Sequence, residues 1–125
     1  MAARRFKPVF TENFSTNLSD IKAFLGGEGA QAFERLFERL TQDIVPMLRR
    51  FPLSGRSFFQ RSIRSKEAQA LAQKLRDKLK AEDDIREFIT ENYLILYVVR
   101  RKQIVFLSIR HHRQLTYDLN RFWSD

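Results

Sequence analysis

The residue types best suited to chemistry stand together near the C-terminus: Arg110, His111, His112, Arg113 and Gln114, followed by Tyr117. Histidine exchanges protons near neutral pH, arginine stabilises phosphoryl charge, and tyrosine supplies a second proton or a ring for base stacking. With one of His111 and His112 as general acid or base, Arg110 or Arg113 beside a phosphoryl group and Tyr117 as donor, the chemistry would be metal-free cleavage of RNA. The plainer reading of the same residues is a solvated strand end, one histidine hydrogen-bonding the backbone and the arginines pairing with Glu87 or Glu91. The chain has no cysteine, hence no thiol nucleophile, no disulfide and no thiolate-ligated zinc, and two adjacent histidines do not complete an ordinary metal site. No metal or cofactor is expected.

A second candidate surface runs from Arg49 to Lys66, where Arg49, Arg50, Arg56, Arg61, Arg64 and Lys66 occur without one acidic residue, interleaved with Phe51, Phe58, Phe59 and Ile63. The phenylalanines read as core residues rather than stacking platforms. The arginines, having no acid within the segment, must face solvent or an acidic partner. The whole chain points the same way: 23 Lys and Arg against 15 Asp and Glu give a net charge of +8, which favours a nucleic acid, a ribosome or an acidic protein as partner. Gly26-Gly27-Glu28-Gly29 lacks the strand before it and the spacing of a dinucleotide loop, and Glu82-Asp83-Asp84 has no second cluster with which to hold a metal.

The elements that must position these residues follow from periodicity. At 125 residues and 43% apolar composition, with twelve phenylalanines, the chain is expected to form one domain over 1–125. Phe6 to Phe10, carrying Pro8, predict a short edge strand. Phe14, Leu18, Ile21 and Leu25 predict a first helix with Ser15 as cap and Gly26-Gly27 as stop. Phe33, Leu36/Phe37, Leu40, Ile44, Met47/Leu48 and Phe51 form the stripe of a second, antiparallel helix that kinks at Pro46, before a loop at Pro52 to Gly55. Ala68, Leu71/Ala72, Leu75 and Leu79 predict a third helix over 66–80. Ile85–Thr90, Tyr93–Val99 and Ile104–Ile109 predict a three-stranded antiparallel meander whose last turn is Arg100 to Gln103. Leu115, Leu119 and Phe122/Trp123 suggest a short terminal helix.

Because Tyr93 to Val99 is apolar at nearly every position, both faces of the sheet must be covered, and one helical hairpin covers only one. The third helix, the terminal helix or a partner segment is left to cover the other. The fold class is therefore α+β: N-terminal edge strand, helical hairpin, inserted helix, antiparallel meander and terminal helix. That apolar run is far shorter than the about 20 residues of a membrane helix, and the basic N-terminus is not followed by an apolar stretch. A soluble, cytoplasmic protein is expected.

Arg86-Glu-Phe-Ile-Thr-Glu-Asn-Tyr-Leu-Ile-Leu-Tyr97-Val-Val resembles the stretch of the RelE/ParE superfamily of bacterial toxins in which an Arg-containing strand turns into "Tyr-x-Ile-x-Tyr-x-Val". Ile104 to Tyr117 resembles the "Ile-Arg-His-x-x-Glu-x-x-Tyr" ending of its ParE-like branch, and Asn17-Leu18 through Phe51-Pro52-x-x-Gly55-Arg56 is similar to its helical hairpin and Pro-x-x-Gly-Arg loop. Three departures stand out. Residues 57–84 form an insertion, Gln114 replaces the usual Glu, and the third-strand Arg of the ribosome-dependent RelE nucleases is missing from Tyr93-Leu94-Ile95. The resemblance implies the toxin half of a type II toxin–antitoxin (plasmid stabilisation) pair, neutralised by an acidic antitoxin whose C-terminal segment wraps it. Loss of the third-strand Arg favours the ParE-like mode, binding and blocking DNA gyrase without chemistry, over RelE-like cleavage of mRNA on the ribosome. A non-toxic basic nucleic-acid-binding domain is the remaining alternative. On this reading Arg49, Arg50, Arg56, Arg61, Arg64, Arg86, Arg110, Arg113, Gln114 and Tyr117 are candidates for contact with target or antitoxin.

Overall fold

Thr11, not Ser15, starts the first helix. Leaving the first strand in an extended conformation (φ −72°, ψ 159°), it turns its Oγ1 to accept the Phe14 N–H at 3.1 Å, whereas Ser15 already lies inside the helix. In the computed structural model, which describes residues 5–58, 73, 77, 79, 80, 82–90 and 92–111, this helix, α1, spans Glu12–Leu25. It stops at Gly26, whose φ of 71° suits a residue without Cβ. The predicted helix over 66–80 falls almost wholly outside the described residues, as does the predicted terminal helix.

The second stripe is broken where proline requires it. Helix α2 spans Ala30–Arg39 and α3 spans Val45–Arg50, joined by a π-turn over Leu40–Ile44. The Val45 N–H there reaches back to the Leu40 carbonyl, five residues away. A wider turn just before Pro46 keeps the Gln42 carbonyl from the proline ring, the physical form of the expected kink. It also selects the buried face. Leu36, Leu40, Ile44 and Leu48, each four apart, are buried, whereas Phe37 and Phe51 are about half exposed or more (48% and 60%), contrary to the expected stripe. Phe37 lies about 100° around the helix from Leu36, and Phe51 has already left helical geometry at φ −128°.

The sheet contains the expected meander and two further strands, in the order β1-β5-β4-β3-β2. Strand β1 (Lys7–Phe10) is an edge, as Pro8 predicts, and runs parallel to β5 (Gln103–His111). Strands β3 (Asp84–Ile89), β4 (Tyr93–Arg100) and β5 are antiparallel neighbours. Strand β2 (Arg56–Ser57) pairs with β3 where only a loop is predicted, since two residues are too short to show a period. The β4–β5 turn is tighter than expected: Arg100 pairs with Gln103, leaving Arg101 and Lys102 to turn the chain, Arg101 at φ 50°.

Both faces of β4 are buried, as its composition requires. On one face Ile95, Tyr97, Ile104, Phe106 and Ile109 pack under Phe14, Ile21, Leu36, Leu40, Ile44 and Leu48 of the helices. On the other, Ile85, Leu96, Val98 and Leu107 cluster with Phe58 and, partly buried, Leu79. Thus the second face is covered at least in part by the chain itself, from both described ends of the segment between β2 and β3. No helix among the described residues is long and apolar enough to cross a membrane.

Candidate functional site

Which face each strand-end residue takes is decided three residues upstream of Arg110 on the same strand, at Leu107. Leu96 pairs with Ser108 but Tyr97 pairs with Phe106, so Leu107 is an extra residue on β5, a β-bulge. Beyond it the alternation of faces is reversed. Ile109 enters the helix-covered core, Arg110 sits opposite Leu94 on the second face, and His111 sits opposite Tyr93 on the first. Without the extra residue Arg110 and His111 would exchange faces.

A bulge on the stretch of β5 that β1 no longer reaches leaves backbone groups to satisfy, and α1 supplies the partners. Thr11 Oγ1 donates to the Phe106 carbonyl (2.8 Å), Asn13 Nδ2 to the Leu107 carbonyl (2.9 Å), and the Ile109 N–H donates to Asn17 Oδ1 (3.1 Å). Asn13 and Asn17 are themselves bonded at 3.3 Å. Asn17 is 1% exposed. Sequence reasoning missed all three residues, though two asparagines four apart on a helix share one face, and beside Phe14 and Ile21 that face must point inward.

His111 therefore lies between rings: Tyr93 meets it edge-on at 5.1 Å and Phe24 at 5.6 Å. Burial pushes the pKa of the Tyr93 hydroxyl above its usual value. Arg110, on the opposite face, has its Nε and Nη2 covered and without a hydrogen-bond partner among the described residues, like Ser108 Oγ on that face. Glu87, one of the acids expected to pair with the strand-end arginines, accepts from Arg56 (2.9 and 3.0 Å). His112, Arg113, Gln114 and Tyr117 lie outside the described residues, as do Arg61, Arg64 and Glu91.

The other candidate arginines gather around the loop between α3 and β2. Arg49 Nε donates to the Phe6 carbonyl at 2.9 Å, locking the start of β1 to the end of α3. Arg86 bonds the Gly55 carbonyl (2.6 Å), the Leu53 carbonyl (3.3 Å) and Asp84 (2.8 Å). The Tyr97 hydroxyl accepts from the Gly55 N–H at 2.9 Å and donates to the Pro52 carbonyl at 2.7 Å. Burial raises its pKa too. Glycine is required at 55 by close approach: a Cβ there would stand 2.5 Å from that hydroxyl and 2.8 Å from the Glu87 carbonyl. Arg50 and Arg56 remain exposed at either side of the loop, Arg56 while paired with Glu87. At the opposite end of β4, Arg100 grips the Asp83 carboxylate through both oxygens at 2.8 Å and holds its pKa below the usual carboxylate value.

This arrangement offers exposed arginines beside the α3–β2 loop and a ring-packed histidine, with the two described chemical candidates of the strand end, Arg110 and His111, directed to opposite sides of one sheet. No curated protein matches the chain in a search of such proteins. A family model does, that of the ParE toxin of the type II toxin–antitoxin system parDE, over residues 9–116. That span runs from β1 through the meander and the strand-end cluster, including the loop held by Tyr97 and Arg86, and on it the chain belongs to the ParE toxin family of type II toxin–antitoxin systems.

Proposed function

We propose that this toxin acts in the cytoplasm by binding and blocking DNA gyrase, without a covalent step of its own, and that an acidic antitoxin encoded beside it relieves the block in a plasmid-stabilising pair. The observation that carries the reading is the placement of Arg110 and His111 on opposite faces of the sheet. A general acid or base and a phosphoryl-stabilising arginine must converge within hydrogen-bond reach of one reacting group, and Arg110 and His111 diverge across the sheet. The antitoxin part rests on family membership together with the net charge of +8, which speeds encounter with an acidic segment.

The test is a pair of assays on purified protein. Inhibition of gyrase supercoiling with ribosome-bound mRNA left intact in primer extension is the expected result. Discrete mRNA cuts instead would establish the endonuclease. His111→Ala, His112→Ala and Tyr117→Phe should then each slow cleavage, by about 10²–10⁴-fold for a true acid or base. Induction of the protein alone should arrest bacterial growth, and co-expression of the neighbouring acidic protein should restore it.

A further inference from the structure

Among the large apolar side chains of the described residues, Phe51 (60% exposed) and Leu53 (62%) are more exposed than Phe10, Phe24, Phe37 and Ile89, and they stand two residues apart in the α3–β2 loop. Such exposure usually accompanies a mobile loop. Here the loop is pinned. The Phe51 N–H bonds the Met47 carbonyl (2.8 Å), and the Phe51 carbonyl accepts from Ser54 N–H (3.0 Å) and Ser54 Oγ (2.7 Å). Pro52, Leu53 and Gly55 are held by Tyr97 and Arg86 as described. The two apolar groups are thus displayed on a fixed backbone, so that little conformational entropy is lost when they are engaged. Exposed Arg50 and Arg56 flank them, and no acidic residue occurs between Arg49 and Phe58.

We infer that Phe51 and Leu53, rimmed by Arg50 and Arg56, are the anchor by which the toxin docks onto its target protein, entering an apolar concavity with an acidic rim. The inference rests on the toxin reading above. Shape and charge together select that occupant. Projecting side chains on a rigid loop need a concavity to enter, which a folded target supplies, whereas an extended antitoxin segment needs a groove to lie in. A groove of that kind exists elsewhere, between α2 and the β3–β4 turn, lined by Arg35, Leu36, Arg39, Asn92 and Tyr93. Aromatic and arginine side chains over a preorganised backbone are also the composition in which interface energy concentrates.

The test compares wild type, the double variant Phe51→Ala/Leu53→Ala and Arg50→Glu for growth arrest on induction, for affinity toward the acidic antitoxin by titration calorimetry, and for thermal unfolding. These side chains are exposed, so both variants should unfold as wild type does and bind antitoxin within about twofold of it, as for surface changes outside an interface. Growth arrest should be lost in the double variant and weakened in Arg50→Glu. Undiminished arrest by a soluble double variant overturns the inference and leaves the toxin reading intact. A tenfold or greater loss of antitoxin affinity, about 1.4 kcal/mol, overturns it by assigning the loop to the antitoxin. Failure of wild type itself to arrest growth overturns the toxin reading, and the inference with it, in a control that involves no variant.

Discussion

Asn17, 1% exposed, accepts the N–H of Ile109 on its Oδ1 at 3.1 Å. Removing it orphans that buried donor. Asn17→Ala should cost about 1–3 kcal/mol, read as a lower denaturant midpoint at unchanged m-value, and amide exchange at Ile109 should accelerate. Unchanged stability would show that the bulge does not depend on α1. The Asp83–Arg100 pair makes a different statement. Its hydrogen bonds from Arg100, then from the Lys80 N–H, hold the Asp83 pKa below its unfolded value against an opposing effect of burial. A depressed carboxylate contributes stability that is fully present above the unfolded pKa, about 4, and is lost as pH falls through the folded one. Wild type should therefore lose stability on acidification below about pH 4 more steeply than Asp83→Asn, as followed by thermal unfolding across the acid range. Parallel acid limbs would remove Asp83 from the account.

Among the elements, the short β2 and the turn that follows it anchor more than their length suggests. Phe58, 8% exposed, inserts into the second-face cluster with Ile85, Leu96, Val98 and Leu107. Phe58→Ala should cost about 3–5 kcal/mol, the transfer term and the cavity together, measured by urea unfolding. A loss under about 1 kcal/mol, typical of surface positions, would mean that the face is closed chiefly by other residues. Leu79 reaches the same cluster from the other side of the segment expected as an insertion, so a variant that shortens 57–84 should retain both side chains. The π-turn and the bulge are two irregular elements among the described residues, and each has a specific consequence. One accommodates Pro46 while keeping Leu36, Leu40, Ile44 and Leu48 in line; the other sets which face Arg110 takes and which His111 takes.

For the molecule as a whole, net charge governs encounter more than residence. With +8 on the toxin and the acidic antitoxin proposed above, raising salt from 0.05 to 0.5 M should lower the association rate with antitoxin by about tenfold or more and change dissociation little, because screening weakens steering while buried contacts persist. Stopped-flow fluorescence with separately measured off-rates checks both. A salt-independent association rate would mean that the charge has another role, and a dissociation rate that rises as steeply as association falls would place the charged pairs at the interface centre.

The strands and helices that bury a repeating face were legible in the sequence, since apolar spacing alone determines them: the α1 stripe, the meander, and a β4 so uniformly apolar that both sheet faces had to be covered. Pro8 at an edge and a break near Pro46 were equally legible, because proline's missing N–H acts locally. Three features were not. Strand β2 takes its identity from β3, to which its two residues are bonded. Asn13 and Asn17 acquire their role only when the uncovered stretch of β5 lies beside them. The direction of Arg110 and His111 depends on Leu107, an extra residue recognisable only by comparing β5 with the strand it pairs with. Local spacing decides which residues form an element and which of them prefer burial, but register, bulges and long-range hydrogen bonds are relations between elements, and tertiary structure alone decides them.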